Sequence, residues 1–247
     1  MGAWYAISGG KARELFTILH LPYTSMVLSY VLIGAALSPV IHYDRLVLTL
    51  LAYFLGLGLS AHALNELHAR HWGKTLSKFE LGLLFAIPLI GALLIGGYGM
   101  YLLYDGGSGG LIVPLTLLAF IITETFFVFA YNLDILNGKF HSDLSFAVSW
   151  GALPAVTSFF ANALTITPAA IMIASASAAT AGIEINLSRW CKDFRRRNAL
   201  RELTFEDSTS VRMTTAQLIA NPERALKLIV VAVDLVAASL IILRLFP

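Results

Sequence analysis

Charge is what this sequence is short of. Only 13% of its 247 residues are Asp, Glu, Lys or Arg, about half the share in a soluble globular domain, too few to coat a water-facing surface. Cysteine is nearly missing too. The lone Cys191 excludes an intrachain disulfide and a thiolate metal cage. A net charge of only +2 gives no general affinity for nucleic acid. Residues 1–16 contain no apolar leader core and no small-residue cleavage site, so no removable signal peptide is expected. Ala6 stands where an N-myristoylation signal needs Ser or Thr. The strand-like alternation of an outer-membrane barrel is absent. No low-complexity tract, short repeat or second soluble segment interrupts the chain, which predicts a single membrane-embedded domain over 1–247.

Apolar runs are abundant. The chain is 57% hydrophobic with a mean hydropathy of +0.76. Runs of about 20 residues, the length of a helix across a bilayer, recur near 16–40, 45–64, 79–104, 110–131, 144–163, 166–187 and 225–246. Backbone polar groups in lipid must be satisfied within each segment, so these runs are helices. The expectation is an all-α polytopic bundle of about seven or more transmembrane helices.

Loop charge orients it. Lys11 and Arg13 precede the first span. Arg70, Lys74 and Lys78 follow the second, Lys139 follows the fourth, and a run from Arg189 through Arg224 follows the sixth. The intervening loops offer only Arg45. Basic residues favour the cytoplasmic side, which places the N-terminus and the exits of the even-numbered helices there, in the cell membrane. The segment 189–223 is the one long polar stretch. Within it Thr214-Thr215 reads as a helix start, and Asn221-Pro222 as a break before the last span.

Against this background each buried charge needs a reason, since an acid at a helix centre costs about 2.5–3.5 kcal/mol on insertion scales. Glu124 sits mid-span in FIITETFFVF, Glu184 and Asn186 close the sixth span in TAGIEINLSRW, and Asp234 lies in VVAVDLVAAS. A lone acid hydrogen-bonded to a neighbouring helix accounts for Asp234. The second span ends in SAHALNELHARHWGKT. At 100° per residue His62, Glu66 and Arg70 stack on one face with Asn65 beside them, while His68 and His71 point elsewhere. On the sixth helix Glu184, Ser188, Lys192 and Arg195 form a matching stripe. Two polar stripes at one end of the bundle can face each other across a cavity. The plainer alternative is that the long cationic chains snorkel to the headgroups, but Asn65, Glu66 and Glu184 are too short to do so.

The placement of these residues resembles the UbiA-type superfamily of intramembrane prenyltransferases. Its members carry N-D-x-x-D-x-x-x-D at the cytoplasmic end of the second helix and a second acidic motif on the sixth, holding Mg2+ and the diphosphate of an isoprenoid donor. Asn65-Glu66 matches the opening pair of the first motif and Glu184 the opening acid of the second. AYNLDILNGKFHSDLSFAVSWGALPAV is similar to the family's fourth-helix exit, basic loop and fifth helix, with Tyr131 and Lys139 in matching places. The likeness covers about residues 15–197. The other acids of the first motif fall on Ala69 and Gly73, and those of the second on Ser188 and Lys192. Members usually carry two more helices after the seventh.

The resemblance implies a prenyl-diphosphate enzyme, either transferring the prenyl group to a small lipophilic acceptor or cyclising it. Glu66 and Glu184 are its acids, and Asn65, Glu66 and Glu184 its ligands for at most one Mg2+. His62, Arg70, Lys74, Tyr131, Lys139, Ser188, Lys192 and Arg195 are its substrate-binding groups. Tyr53, Phe54, Phe126, Phe127, Phe129 and Trp150 offer ring faces to the prenyl chain and to a carbocation, although aromatic stripes are more often ordinary packing. The alternative implication is a catalytically silent relative that binds a lipid or a membrane partner. A third reading, a membrane metal oxygenase on His62, His68, His71 and His141, fails the need for clustered histidines with one facing. His141 reads more simply as a loop residue that caps the fifth helix with Asp143.

Overall fold

The computed structural model describes residues 5–7, 9–69, 75–106, 110–197, 201–204, 207 and 209–246. The helices are α1 (Lys11–Ile18), α2 (Leu21–Ala36), α3 (Tyr43–Ala69), α4 (Lys78–Asp105), α5 (Ile112–Asn132), α6 (Asp143–Ala163), α7 (Pro168–Arg197) and α8 (Thr215–Leu245). Six of them are long and apolar enough to cross a bilayer, and the α1–α2 pair makes a seventh if counted as one bent span. This is an all-α, multi-pass membrane architecture. One antiparallel hairpin, β1 (Arg201–Thr204) with β2 (Ser210–Met213), lies between α7 and α8 and pairs Arg201 with Met213. The sequence had offered only a polar loop there.

Helix α2 is the axis of the bundle. It is apolar all round, as a helix enclosed on every side must be, and Met26, Val31 and Ala35 are fully buried in it. It packs on α3, α6 and α8. The contrast with the periphery is large: 67% of the apolar window of α6 is buried, against 11% of that of α4. Gly34 sets the α2–α6 distance. A Cβ there would lie 2.1 Å from the Ala155 carbonyl oxygen, the close small-residue approach on which membrane helices associate.

Three boundaries differ from expectation. The first span is broken by 43° at His20, which is left-handed (φ 43°, ψ 54°). Pro22 then falls in the first turn of α2, where a missing N–H has no bond to lose. Second, α7 runs ten residues beyond the expected 187, because its polar extension packs on α8, burying Cys191 to 1% and joining Arg195 to Glu223. Third, Asn221-Pro222 does not interrupt the last helix. It starts at the Thr214 cap, whose side chain takes the Gln217 N–H, and continues through Pro222. The turn after the proline is held by Arg195–Glu223 and by Lys227–Glu223 (2.9 Å). Membrane helices tolerate such a proline when neighbours hold the flanking turns.

Two stretches are π-helical, Phe54–Ala61 within α3 and Ala147–Ala152 within α6. Such insertions re-aim side chains and recur at functional sites. Here they precede His62 and contain Trp150, and these two rings meet at 4.9 Å.

Candidate functional site

Lys11, Lys78, Lys139 and Lys192 gather at one end of the bundle, the basic end; Arg45 and Arg244 mark the other, where Arg244 Nε donates to Ala36 O (2.8 Å). Near the basic end the two predicted stripes turn inward as their spacing requires. His62 (5% exposed) and Glu66 (2%) face the interior from α3, with Asn65 half-buried beside them. Glu184 (2%) faces it from α7, with Ser188 half-buried one turn on. Glu184 Oε1 has no hydrogen-bond partner. Asp234 on α8 lies within electrostatic reach of it and accepts a hydrogen bond from Ser29 Oγ (2.8 Å), the neighbouring-helix pairing expected for that acid.

Rings link the two stripes at this level. His62 packs at a tilt against His20 (4.4 Å) and Trp150, His20 contacts the Tyr23 ring (5.9 Å), and the Tyr23 hydroxyl bonds to Ser188 Oγ. Phe146 lies parallel to Trp150 (5.3 Å) and edge-on to Tyr23 (6.0 Å). A continuous row of rings therefore crosses from α3 to α7. The row depends on the His20 break, which swings an imidazole inward. Tyr5 joins it from the N-terminal segment, touching both His20 and Tyr23, and its burial, with the nearby Glu184 charge, pushes the Tyr5 hydroxyl above the usual tyrosine range. Helix α1 closes the same end. Lys11 pairs with Glu80 (2.6 Å), and the buried Glu14 carboxylate accepts from the Thr75 N–H (3.0 Å) and the Thr75 hydroxyl. Sequence reasoning missed His20, Tyr23 and Tyr5. The available signal was one imidazole inside the apolar run ILHLPY.

The predicted cations are dispersed. Lys139 and Lys192 are exposed. Arg195 is committed to Glu223 on α8. Arg70 and Lys74, with His71, lie outside the described residues. Tyr131 is buried, stacked on His141 (4.4 Å, 18° between planes) and reached by Arg189 Nη2 (3.4 Å). Arg189 also pairs with Asp143 (2.6 Å), so Asp143 serves an ion pair and Ser142 caps α6, accepting from the Ser145 N–H. His141 contacts Asp134 at 2.8 Å and His68 reaches the same carboxylate at 3.5 Å. Asp134, Leu136, Asn137 and Gly138 all have positive φ, a left-handed turn that presents Asp134 to both rings.

A diphosphate bridged by Mg2+ requires several converging oxygen ligands in near-octahedral geometry. Among the described residues no group of three or more His, Cys, Asp or Glu side chains could hold a metal ion, and the aromatic row joins His62 of one stripe to Ser188 of the other. The donor set does not fit that group. Of the histidines considered for an iron site, His62 lies in the aromatic row, His68 and His141 meet at Asp134, and His71 lies outside the described residues.

The conspicuous cavity lies elsewhere. It is a cleft of about 140 Å³, open in part to the outside, between α3, α4, α5 and the end of α6. Its walls are mostly Leu, Ile, Ala and Gly, from Leu89 to Leu103 on α4 and Leu117 to Val128 on α5. Tyr53 stands at its α3 wall and donates its hydroxyl to Glu124 Oε1 (2.6 Å). The other proposed ring residues pack elsewhere: Phe126 and Phe127 around Phe140, Phe129 on Phe85.

Compared with protein-family models, curated proteins and solved structures, the chain matches none.

Proposed function

We propose that this is a UbiA-like membrane protein that binds an isoprenoid or similar lipid chain within its helical bundle. The observation that carries this reading is the apolar cavity between α3, α4 and α5, whose lining is mostly aliphatic with a few polar groups and whose wall includes outward-exposed residues such as Leu93 (39% exposed). Purification from native membrane followed by lipid extraction and mass spectrometry tests it. A defined isoprenoid or acyl lipid should co-purify with the wild type and be lost on Ala92→Phe, which fills the cavity opposite Gly56. A lipid profile identical in the two proteins would refute the reading.

A second reading is a prenyl-diphosphate-utilising enzyme at the basic end. It is supported by the burial of both motif-opening acids, Glu66 and Glu184, near the basic end. Consumption of a prenyl diphosphate that disappears in both Glu66→Ala and Glu184→Ala would establish it. Consumption untouched by either variant, or none with donors of several lengths, would exclude it.

A further inference from the structure

Five polar side chains line the cavity besides Thr157, and four of them are already occupied. Thr49 donates to Arg45 O (2.8 Å), Thr125 to Ile121 O (2.7 Å), Arg45 to Ala161 O (3.1 Å) and Tyr53 to Glu124 Oε1 (2.6 Å). Thr157 sits beside the Tyr53 hydroxyl, and its Oγ1 is buried without a hydrogen-bond partner. Glu124 is the charged member of the lining left in the same state. Tyr53 fixes one oxygen of its carboxyl group, while the other, Oε2, is buried without a hydrogen-bond partner. A polar atom left so at membrane depth is costly, and a group supplied by a ligand removes that cost.

We propose that the cavity is a site for a neutral long-chain alcohol, its hydroxyl on Glu124 Oε2 and its chain along the apolar wall of α4. This rests on the lipid-binding reading above and names the ligand class. A hydroxyl is the matching group because it both donates and accepts, and so pairs with a carboxyl group whichever form that takes. A phosphate or carboxylate headgroup would bring a second acceptor against Glu124. Its natural partner in the cavity is Arg45, whose guanidinium is turned to a backbone carbonyl at the far end.

The test uses the full-length protein in nanodiscs and three photoreactive long-chain probes: an alcohol, the hydrocarbon lacking its oxygen, and the corresponding carboxylic acid. Labelled peptides are quantified by mass spectrometry. The alcohol should label α4 and α5 peptides about tenfold more strongly than the hydrocarbon, the worth of one hydrogen bond that satisfies a buried partner. Glu124→Leu should reduce the alcohol to the hydrocarbon level, and Glu124→Gln should retain most of the preference. Ala92→Phe should suppress labelling by both. Thiol accessibility of the buried Cys191 verifies that each variant is folded; should Glu124→Leu fail this check, the wild-type ratio and Glu124→Gln still decide. Equal labelling by alcohol and hydrocarbon, or stronger labelling by the acid, overturns the assignment while leaving the lipid reading intact. Absence of α4 and α5 labelling by every probe defeats both.

Discussion

Gly34 offers a direct measure of how tightly α2 is held. In an exposed helix interior Gly→Ala gains roughly 0.5–1 kcal/mol through backbone entropy. At Gly34 that gain meets a Cβ position 2.1 Å from Ala155 O, 2.9 Å from its carbonyl carbon and 3.1 Å from Phe159 N. These are backbone atoms and cannot rotate away. Helices α2 and α6 must separate by about an ångström to restore van der Waals distance. Separation loosens contacts around Val31, Ala35, Ala155 and Phe159, each at most 2% exposed. Overpacking of this kind costs about 1–3 kcal/mol, occasionally more, so after the entropy gain the expected net loss is about 1 kcal/mol. For a chain of this size that lowers the melting temperature by roughly 2–4 °C. Cys191 is the sole cysteine and is 1% exposed, so a thiol-reactive fluorophore in a temperature ramp reports bundle opening without an introduced probe. Gly97→Ala is the control: a Cβ there meets nothing within 4 Å, and the variant should melt at or slightly above the wild type. If Gly34→Ala melts no lower than Gly97→Ala, the close α2–α6 contact is wrong.

Arg195→Ala should destabilise by about 1 kcal/mol, because Glu223, only 19% exposed, loses one of its two cationic partners and keeps Lys227; a double-mutant cycle with Glu223→Gln should return a coupling above about 0.5 kcal/mol. Glu184→Leu removes a buried carboxyl group with an unpartnered oxygen and should leave the melting temperature unchanged or raise it, whereas a loss of several degrees would mean that the group is held by interactions of its own. Asp234→Asn should keep the Ser29 hydrogen bond and be near neutral, while Asp234→Ala should cost about 1 kcal/mol in the same ramp. In a Cys191→Ser background, an impermeant maleimide should label cysteines at Lys139 and Lys192 from one side of the membrane and at Arg45 from the other. Labelling of all three from one side would refute the assignment of the two ends.

Much of the architecture was legible because in lipid the apolar run and the helix are nearly the same object. The runs at 79–104 and 110–131 agree with α4 and α5 to within two residues. Legibility failed where tertiary contacts override composition. The i, i+4 stripe to Arg195 hinted that α7 outlasts its apolar run, but not what holds the extension; the partner of Arg195 is Glu223 on α8, some thirty residues later in the chain. The break at His20 is local, but its consequence is not, since the imidazole becomes meaningful only against His62 and Tyr23. The inward facing of Glu66 and Glu184 could be read from 100° spacing. What links the two stripes could not, because the rings that join His62 to Ser188 come from α2 and α6. Glu124 was noticed as a misplaced charge, but its partner Tyr53 and the cavity they share exist only in the packed bundle.

Ser188 matters to the aromatic row because it is the short hydroxyl that receives Tyr23. An aspartate there would set a carboxylate among Tyr23, Phe146 and the Glu184 and Asp234 acids, adding negative charge where two acids already interact. On α3, the His68 imidazole is engaged by Asp134 from the left-handed turn. Among the described residues these contacts tie the helices together at the basic end, whereas the cavity at Glu124 is bordered by α4, whose apolar window is only 11% buried.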